Sequence, residues 1–249
     1  MRDTFEYLLR LGDDRLVLGH RLSEWCGHAP ILEEDIALAN MALDLVGQAN
    51  LLLTLAAETE GSGRDADALA FLRDAIDYRN VLLVELPKGD FAFTIARQFF
   101  FSVYATLLAQ RLQSSANEDL GGIAGKMFKE SQYHVRHAGN WMVRLGDGTD
   151  ESHARLQAAV DELWRYTGEL FLSDALEQGL VARGVAADSS QVHEEWRRQV
   201  EQVVSQGGIK IPDVKWMQRG GREGKHTEHL GHMLAEMQVL QRQHPGAAW

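Results

Sequence analysis

The sequence predicts an all-α protein, a bundle of long helices around a polar centre. Three observations predict it. Only four Pro interrupt 249 residues, and proline is the residue that the interior of a long helix excludes. Long stretches repeat apolar residues at helical rather than alternating spacing. Four of those stretches also carry polar residues at i, i+4, which places them on one helix face.

The elements follow in order. Phe5 to Cys26 reads as a first helix, stopped by Gly27 with Pro30 beyond. Glu33 to Glu60 reads as a second, about 40 Å long at about 1.5 Å per residue, and Gly61-Ser62-Gly63 ends it. Asp65 to Tyr78 reads as a short polar helix, and Pro87-Lys88-Gly89-Asp90 as a turn. Phe91 to Gln113 and Leu120 to Leu145 are two further long helices. Gly146-Asp147-Gly148-Thr149 stops one helix and caps the next, with Asp150 and Glu151 at its positive end. Glu151 to Arg183 reads as a helix bent or broken near Gly168, and Ser189 to Ser205 as another. Residues 207–224 lose the periodicity, and Thr227 to Gln241 is a last short helix. Residues 1–206 therefore form the bundle. Residues 207–249 are an extension with too little apolar surface to fold alone, expected to lie on the bundle or on a partner.

Composition narrows the function classes. A net charge of -11 argues against nucleic-acid binding, though not against an anionic ligand held by a local Arg or Lys cluster. The single cysteine, Cys26, permits no internal disulfide. No secretory leader is legible at the N-terminus and no run of about 18 apolar residues suggests a membrane span, so the expected location is the cytoplasm.

The polar stripes carry the chemistry. The second helix is apolar on nearly every side, which predicts a central, buried helix, yet Asn40, Asp44 and Gln48 recur every four residues. The first helix carries His20 and Glu24, the third long helix Thr94, Gln98 and Ser102, the fourth Glu130 and His134. Buried polar groups need partners, so the stripes are expected to meet. Ferritin-like di-iron proteins bring together a Glu-x-x-His pair from each of two helices and a carboxylate from each of the other two. Here the residue three before His134 is Ser131, which cannot replace a carboxylate, and Glu130 is one residue out of step. The stripes are therefore a metal site, a hydrogen-bonded network standing in its place, or in part surface. In the second reading His134 pairs with Glu24 or Asp44.

Other constellations have simpler explanations. Asp150-x-x-His153 sits in a helix's first turn, where capping accounts for it. Glu223-x-x-His226 lies in a glycine-rich connection, and His226, His229 and His232 lack an evident fourth ligand for zinc. Gly220 to Thr227 has the wrong glycine spacing for a phosphate loop and no strand before it. Cys26 with His28 has no supporting arrangement for a nucleophile. In the polar run Arg73 to Asn80, both Arg73 and Arg79 have the chemistry to hold a phosphate.

Several blocks in order carry a resemblance across the whole chain. They include Glu24-Trp25-Cys26-Gly27-His28-Ala29-Pro30, Leu43-Asp44-Leu45-Val46-Gly47-Gln48-Ala49, Ile95-Ala96-Arg97-Gln98 and Lys225-His226-Thr227-Glu228-His229-Leu230-Gly231. With these the chain resembles the structural C-subunit family of bacterial phenylacetyl-coenzyme A epoxidases. The resemblance implies a ferritin-like bundle with a degenerate di-iron site. It implies a non-catalytic subunit that supports a homologous A subunit holding the working di-iron centre. A reductase subunit with NADPH, flavin and an iron–sulfur cluster supplies electrons, and phenylacetyl-CoA becomes its ring 1,2-epoxide in aerobic phenylacetate degradation. Aligned so, Ser131, Leu45 and Gln48 replace ligands, Glu24 and His134 are retained remnants, and the vestigial polar core is Glu24, Asp44, Gln48, Gln98, Glu130, Ser131 and His134. This chain then has no catalytic residue, metal or cofactor. The CoA ester, held near the A–C contact, is expected against Asp77, Tyr78, Arg79 and Asn80 and against Gln178, Gly179 and Leu180. The alternative is a self-sufficient di-iron oxidase or metal-binding protein.

Overall fold

The structure is a computed structural model and describes residues 1–247. Among them all regular structure is helical. In chain order the α-helices are α1 (Arg2–Ser23), α2 (Leu32–Glu60), α3 (Ala66–Phe71), α4 (Leu82–Glu85), α5 (Phe91–Leu112) and α6 (Glu118–Gly146). They continue with α7 (Asp150–Leu163), α8 (Ala175–Ala182), α9 (His193–Gln206), α10 (Glu228–Met237) and α11 (Val239–Gln243). α1 packs along α2, α5 along α6, and α2 against α6, which makes a four-helix bundle; α7 and α9 cover α5 and α6.

Helix punctuation is local and chemical. Asp90, Asn117 and Thr149 accept hydrogen bonds from the third backbone N–H of α5, α6 and α7 respectively, and Ser152 accepts a bond from Thr149 N to complete a capping box. α2 ends where Gly61 takes a left-handed φ of 67°. The core is filled by Phe99, Phe100 and Phe101 of α5, with Trp164 and Trp196 packed beside Phe100. Trp196 Nε1 donates to the Phe100 carbonyl at 2.8 Å, so its one polar atom is satisfied in the interior.

Two expectations need correction and one is met. The predicted helix Glu151–Arg183 is broken around Gly168 as expected, into α7, a 3₁₀ stretch Trp164–Phe171 and α8. The Arg165 carbonyl, which an α-helix would offer to Glu169, accepts instead from Gln218 N at 2.7 Å, and Gly168 leaves room for Met217. The predicted helix Asp65–Tyr78 is only α3 and a 3₁₀ turn Ala75–Asp77, because the Arg73 guanidinium and the Tyr78 hydroxyl bond carbonyls of this segment and close it into a compact loop. Most consequentially, α2 is not buried all round. Leu32, Ile36 and Leu43 are 72%, 54% and 70% exposed, because α1 and α6 cover the inner side of α2 and nothing among the described residues covers these three. By length and composition α2 and α5 would both suffice to span a membrane, but 89% of the apolar window of α5 is buried in this fold against 44% for α2.

The tail lies on the bundle. Residues 219–227 run beside the segment 78–85, and α10 and α11 rest on the loop after α3.

Candidate functional site

Two polar clusters sit inside the protein. The first is the bundle centre. Arg15 of α1 is fully buried; its Nε donates to Gln48 Oε1 at 3.1 Å and its Nη1 to the Leu11 carbonyl at 2.8 Å. Gln48 Nε2 donates onward to Glu130 Oε2 at 2.9 Å. Beside this chain of bonds Gln98 Nε2 donates to Ser102 Oγ at 2.9 Å, and Ser131 is buried. His134, itself buried, places Nε2 3.1 Å from Asp44 Oδ2, the second of the two pairings expected for it.

The stripes thus meet only in part. Gln48, Gln98, Ser131 and His134 are interior, whereas Asp44 and Glu130 lie at the edge with side chains 37% and 21% exposed. Glu24 is the correction: it is exposed, occupies the C-cap of α1 and pairs with Arg21 at 2.6 Å, two residues past Leu22, the last buried residue of the helix. Asn40 is exposed as well, since α2 rotates its stripe from solvent at Asn40 to the interior at Gln48. Arg15 was absent from the expected core. Its signal was legible: Asp13-Asp14-Arg15 is a charged triplet inside an apolar helix, and all three are buried.

Among the described residues no three His, Cys, Asp or Glu side chains converge as a metal ion requires. A permanently charged guanidinium occupies the middle of the arrangement. Burial lowers the Arg15 pKa from its ordinary value and the neighbouring Asp14 works against that.

The second cluster anchors the tail, and sequence reasoning missed it entirely. Four buried carboxylates act as acceptor posts. Asp13 takes Arg73 Nη1 at 2.9 Å and Arg79 N at 2.8 Å. Asp14 takes Val81 N at 2.8 Å and Arg222 Nη2 at 2.8 Å. Glu169 takes Leu82 N and Gly220 N, both at 2.8 Å. Glu85 takes Asn80 Nδ2 at 2.8 Å, Thr227 N at 2.6 Å and His226 Nδ1 at 2.7 Å. The other ring nitrogen, His226 Nε2, lies 3.0 Å from the Tyr78 carbonyl. Both of these partners accept, so His226 is an imidazolium with both nitrogens donating. Burial pushes its pKa down, but Glu85 outweighs burial and the pKa stands above the ordinary histidine value.

The segments expected to meet a CoA ester are largely structural. Tyr78 and Asn80 are fully buried, the Tyr78 hydroxyl bonded to the Ala70 carbonyl and the Asn80 amide to Glu85. Leu180 is also fully buried. These three are not presented to a ligand: Tyr78 and Asn80 turn inward to hold their own segment, and Leu180 is on the buried side of α8. Asp77, Gln178 and Gly179 are exposed, and Arg79 is half-buried with Nε 2.6 Å from Glu6 Oε1. Of the other constellations, His153 Nδ1 faces the Gly146 carbonyl at 2.7 Å, and Arg73 is consumed by Asp13.

An all-helical chain with a four-helix bundle and a polar interior is the class that the fold defines. The family of phenylacetic acid catabolic proteins matches residues 1–249, and the chain belongs to that family. One relative, named as the C subunit of 1,2-phenylacetyl-CoA epoxidase from Escherichia coli (strain K12), is 47% identical over 249 residues, covering all of both chains.

Proposed function

We propose that this chain is the non-catalytic C subunit of a 1,2-phenylacetyl-CoA epoxidase. A subunit of that enzyme in phenylacetate catabolism is what its family and its end-to-end likeness to the Escherichia coli protein support. In this reading the bundle is a ferritin-like scaffold whose di-iron site is degenerate. The oxygen chemistry then belongs to a homologous A subunit with its own di-iron centre, supplied with electrons by a reductase, and the complex is cytoplasmic.

The observation that carries the non-catalytic reading is the buried Arg15 guanidinium bonded to Gln48. A di-iron centre needs about four carboxylates and two histidines at the bundle axis. This interior offers a fixed positive charge, two amides, two hydroxyls and one histidine. Its nearest carboxylates, Asp44 and Glu130, are already bonded to His134 and Gln48. The residues present do not fit two iron ions, and no step of the chemistry passes through them. The CoA ester enters this proposal only through the exposed Asp77, Gln178 and Gly179 and through Arg79, which would exchange Glu6 for a phosphate.

The test is iron content per chain on the protein purified alone after growth with ample iron. Near zero is expected. About two irons per chain would overturn the reading in favour of a self-sufficient di-iron protein and make Asp44, Glu130 and His134 ligands.

A further inference from the structure

The outer sides of α2 and α6 form a surface that the fold itself leaves uncovered. On α2, Leu32, Ile36, Leu43, Val46, Asn50 and Thr54 fall within an arc of about 80° at about 100° per residue. The four apolar members are 72%, 54%, 70% and 37% exposed. Between Asp35 and Glu58 this helix has one charged residue, Asp44, and it faces His134 on α6. The arc is therefore uncharged for about 33 Å, and its aliphatic part, Leu32 to Val46, runs about 21 Å at about 1.5 Å per residue.

α6 carries the complementary feature. Lys126, Lys129, Tyr133, Arg136, Asn140 and Arg144 are all exposed and occupy a second arc of about 80°. It lies opposite the buried face formed by Ala124, Ser131, Ala138 and Met142. The only carboxylate on α6 beyond its first turn is Glu130, which turns toward Gln48 and touches Lys126 at 3.8 Å. Lys129, Arg136 and Arg144 form no ion pair among the described residues, in a chain whose net charge is -11. Asp44–His134 and Gln48–Glu130 run in opposite order along the two helices, so α2 and α6 are antiparallel neighbours. Both arcs lie on the side turned away from α1 and α5.

We infer that these two ridges are one docking surface, and that its occupant is a partner oxygenase subunit presenting an apolar helical face bordered by carboxylates. This rests on the reading of the chain as one subunit of a larger enzyme. Two helix faces each about 10 Å wide, about 33 Å long on α2 and about 27 Å long on α6, cover roughly 600 Å², at the lower end of the ~600–1,000 Å² per partner of a stable interface. The aliphatic ridge supplies the desolvated centre, and the unpaired cations steer and orient the partner. A lipid surface fits less well. A membrane-surface helix combines its cations with Trp or Phe on one helix, and here the apolar ridge and the basic ridge are on separate helices.

The test uses the full chain and the di-iron subunit from the same source, with the dissociation constant measured at about 50 mM and about 500 mM salt. Leu43→Asp and the double variant Lys129→Glu/Arg136→Glu alter exposed positions, and circular dichroism checks that both stay folded. Expected are loss of association for Leu43→Asp, and for the double variant about tenfold or greater weakening at low salt with a flattened salt dependence. If Leu43→Asp abolishes association while the double variant matches the wild type, the acidic-partner inference fails but the subunit reading stands. If neither changes association, the surface is not the interface and the inference fails entirely. If the wild-type chain binds the di-iron subunit at neither salt, it is the subunit reading that fails. Binding of the wild-type chain to phosphatidylserine vesicles, lost with either variant, overturns the inference in favour of a lipid surface.

Discussion

Glu85→Ala removes the post on which the start of α10 hangs, and the structure sets the size of the effect. The side chain is fully buried and accepts from Thr227 N, His226 Nδ1 and Asn80 Nδ2. The Asn80 amide keeps the Val81 carbonyl for one of its two hydrogens, so three N–H donors lose their acceptor, one of them on a charged ring. Each stranded buried donor costs ~1–3 kcal/mol, the charged one at the upper end, and breaking a buried ion pair costs ~3–5 kcal/mol. The expected loss is about 4 kcal/mol by urea unfolding, accompanied by faster amide exchange in Glu228–Met237. Glu85→Gln keeps the shape and one acceptor and should lose about half as much. The wild type also carries a pH signature. His226 has a raised pKa in the folded state, so its stabilisation is fully present below the ordinary histidine pKa and fades as pH rises through the folded value. Stability should therefore fall as pH rises beyond the ordinary histidine pKa, and Glu85→Gln should flatten that slope. A loss under about 1 kcal/mol for Glu85→Ala, with exchange in α10 unchanged, would refute the anchoring argument.

Three further outcomes are expected. Gly146→Ala drives a methyl group into the Gly207 backbone where α6 meets the end of α9; backbone cannot yield as a side chain can, so stability should fall by about 3 kcal/mol in denaturant titration. Arg222→Leu leaves the buried Asp14 with Val81 N as its remaining partner, and a cost of ~3–5 kcal/mol is expected in the same assay. His134→Ala should lower the unfolding free energy through a lost Asp44 contact and a small cavity, by about 1–3 kcal/mol, and the melting temperature with it. Activity of the assembled complex lost at unchanged melting would show that His134 does more than hold the bundle.

Much of the helical layout was legible in the sequence because helix punctuation is local. Asp90, Asn117 and Thr149 cap with their own neighbours, and Gly61 needs only its own backbone to stop α2. The absence of a Glu three residues before His134 was equally plain, since i, i+3 geometry belongs to a single helix. The break near Gly168 was legible too, but not the distant atom that accompanies it: Gln218 N takes the Arg165 carbonyl.

The polar centre shows the same division. Periodicity showed that Gln48, Gln98, Ser131 and His134 share faces with apolar residues, and burial followed. It gave Glu24 the same weight, but α1 ends there and the side chain points to solvent. Arg15, Asp13 and Asp14 were visible as a charged triplet, yet nothing in their spacing says that Gln48, Arg73 and Arg222 wait 33, 60 and 208 residues away. Nor does composition distinguish α5 from α2, two equally apolar helices of which one is enclosed and the other half-bare. The sequence by itself determined the all-helical class and the family, because these are written in consecutive residues. Tertiary structure alone decided which charges are buried, what they hold and which apolar face is left uncovered, because burial is a property of neighbours in space.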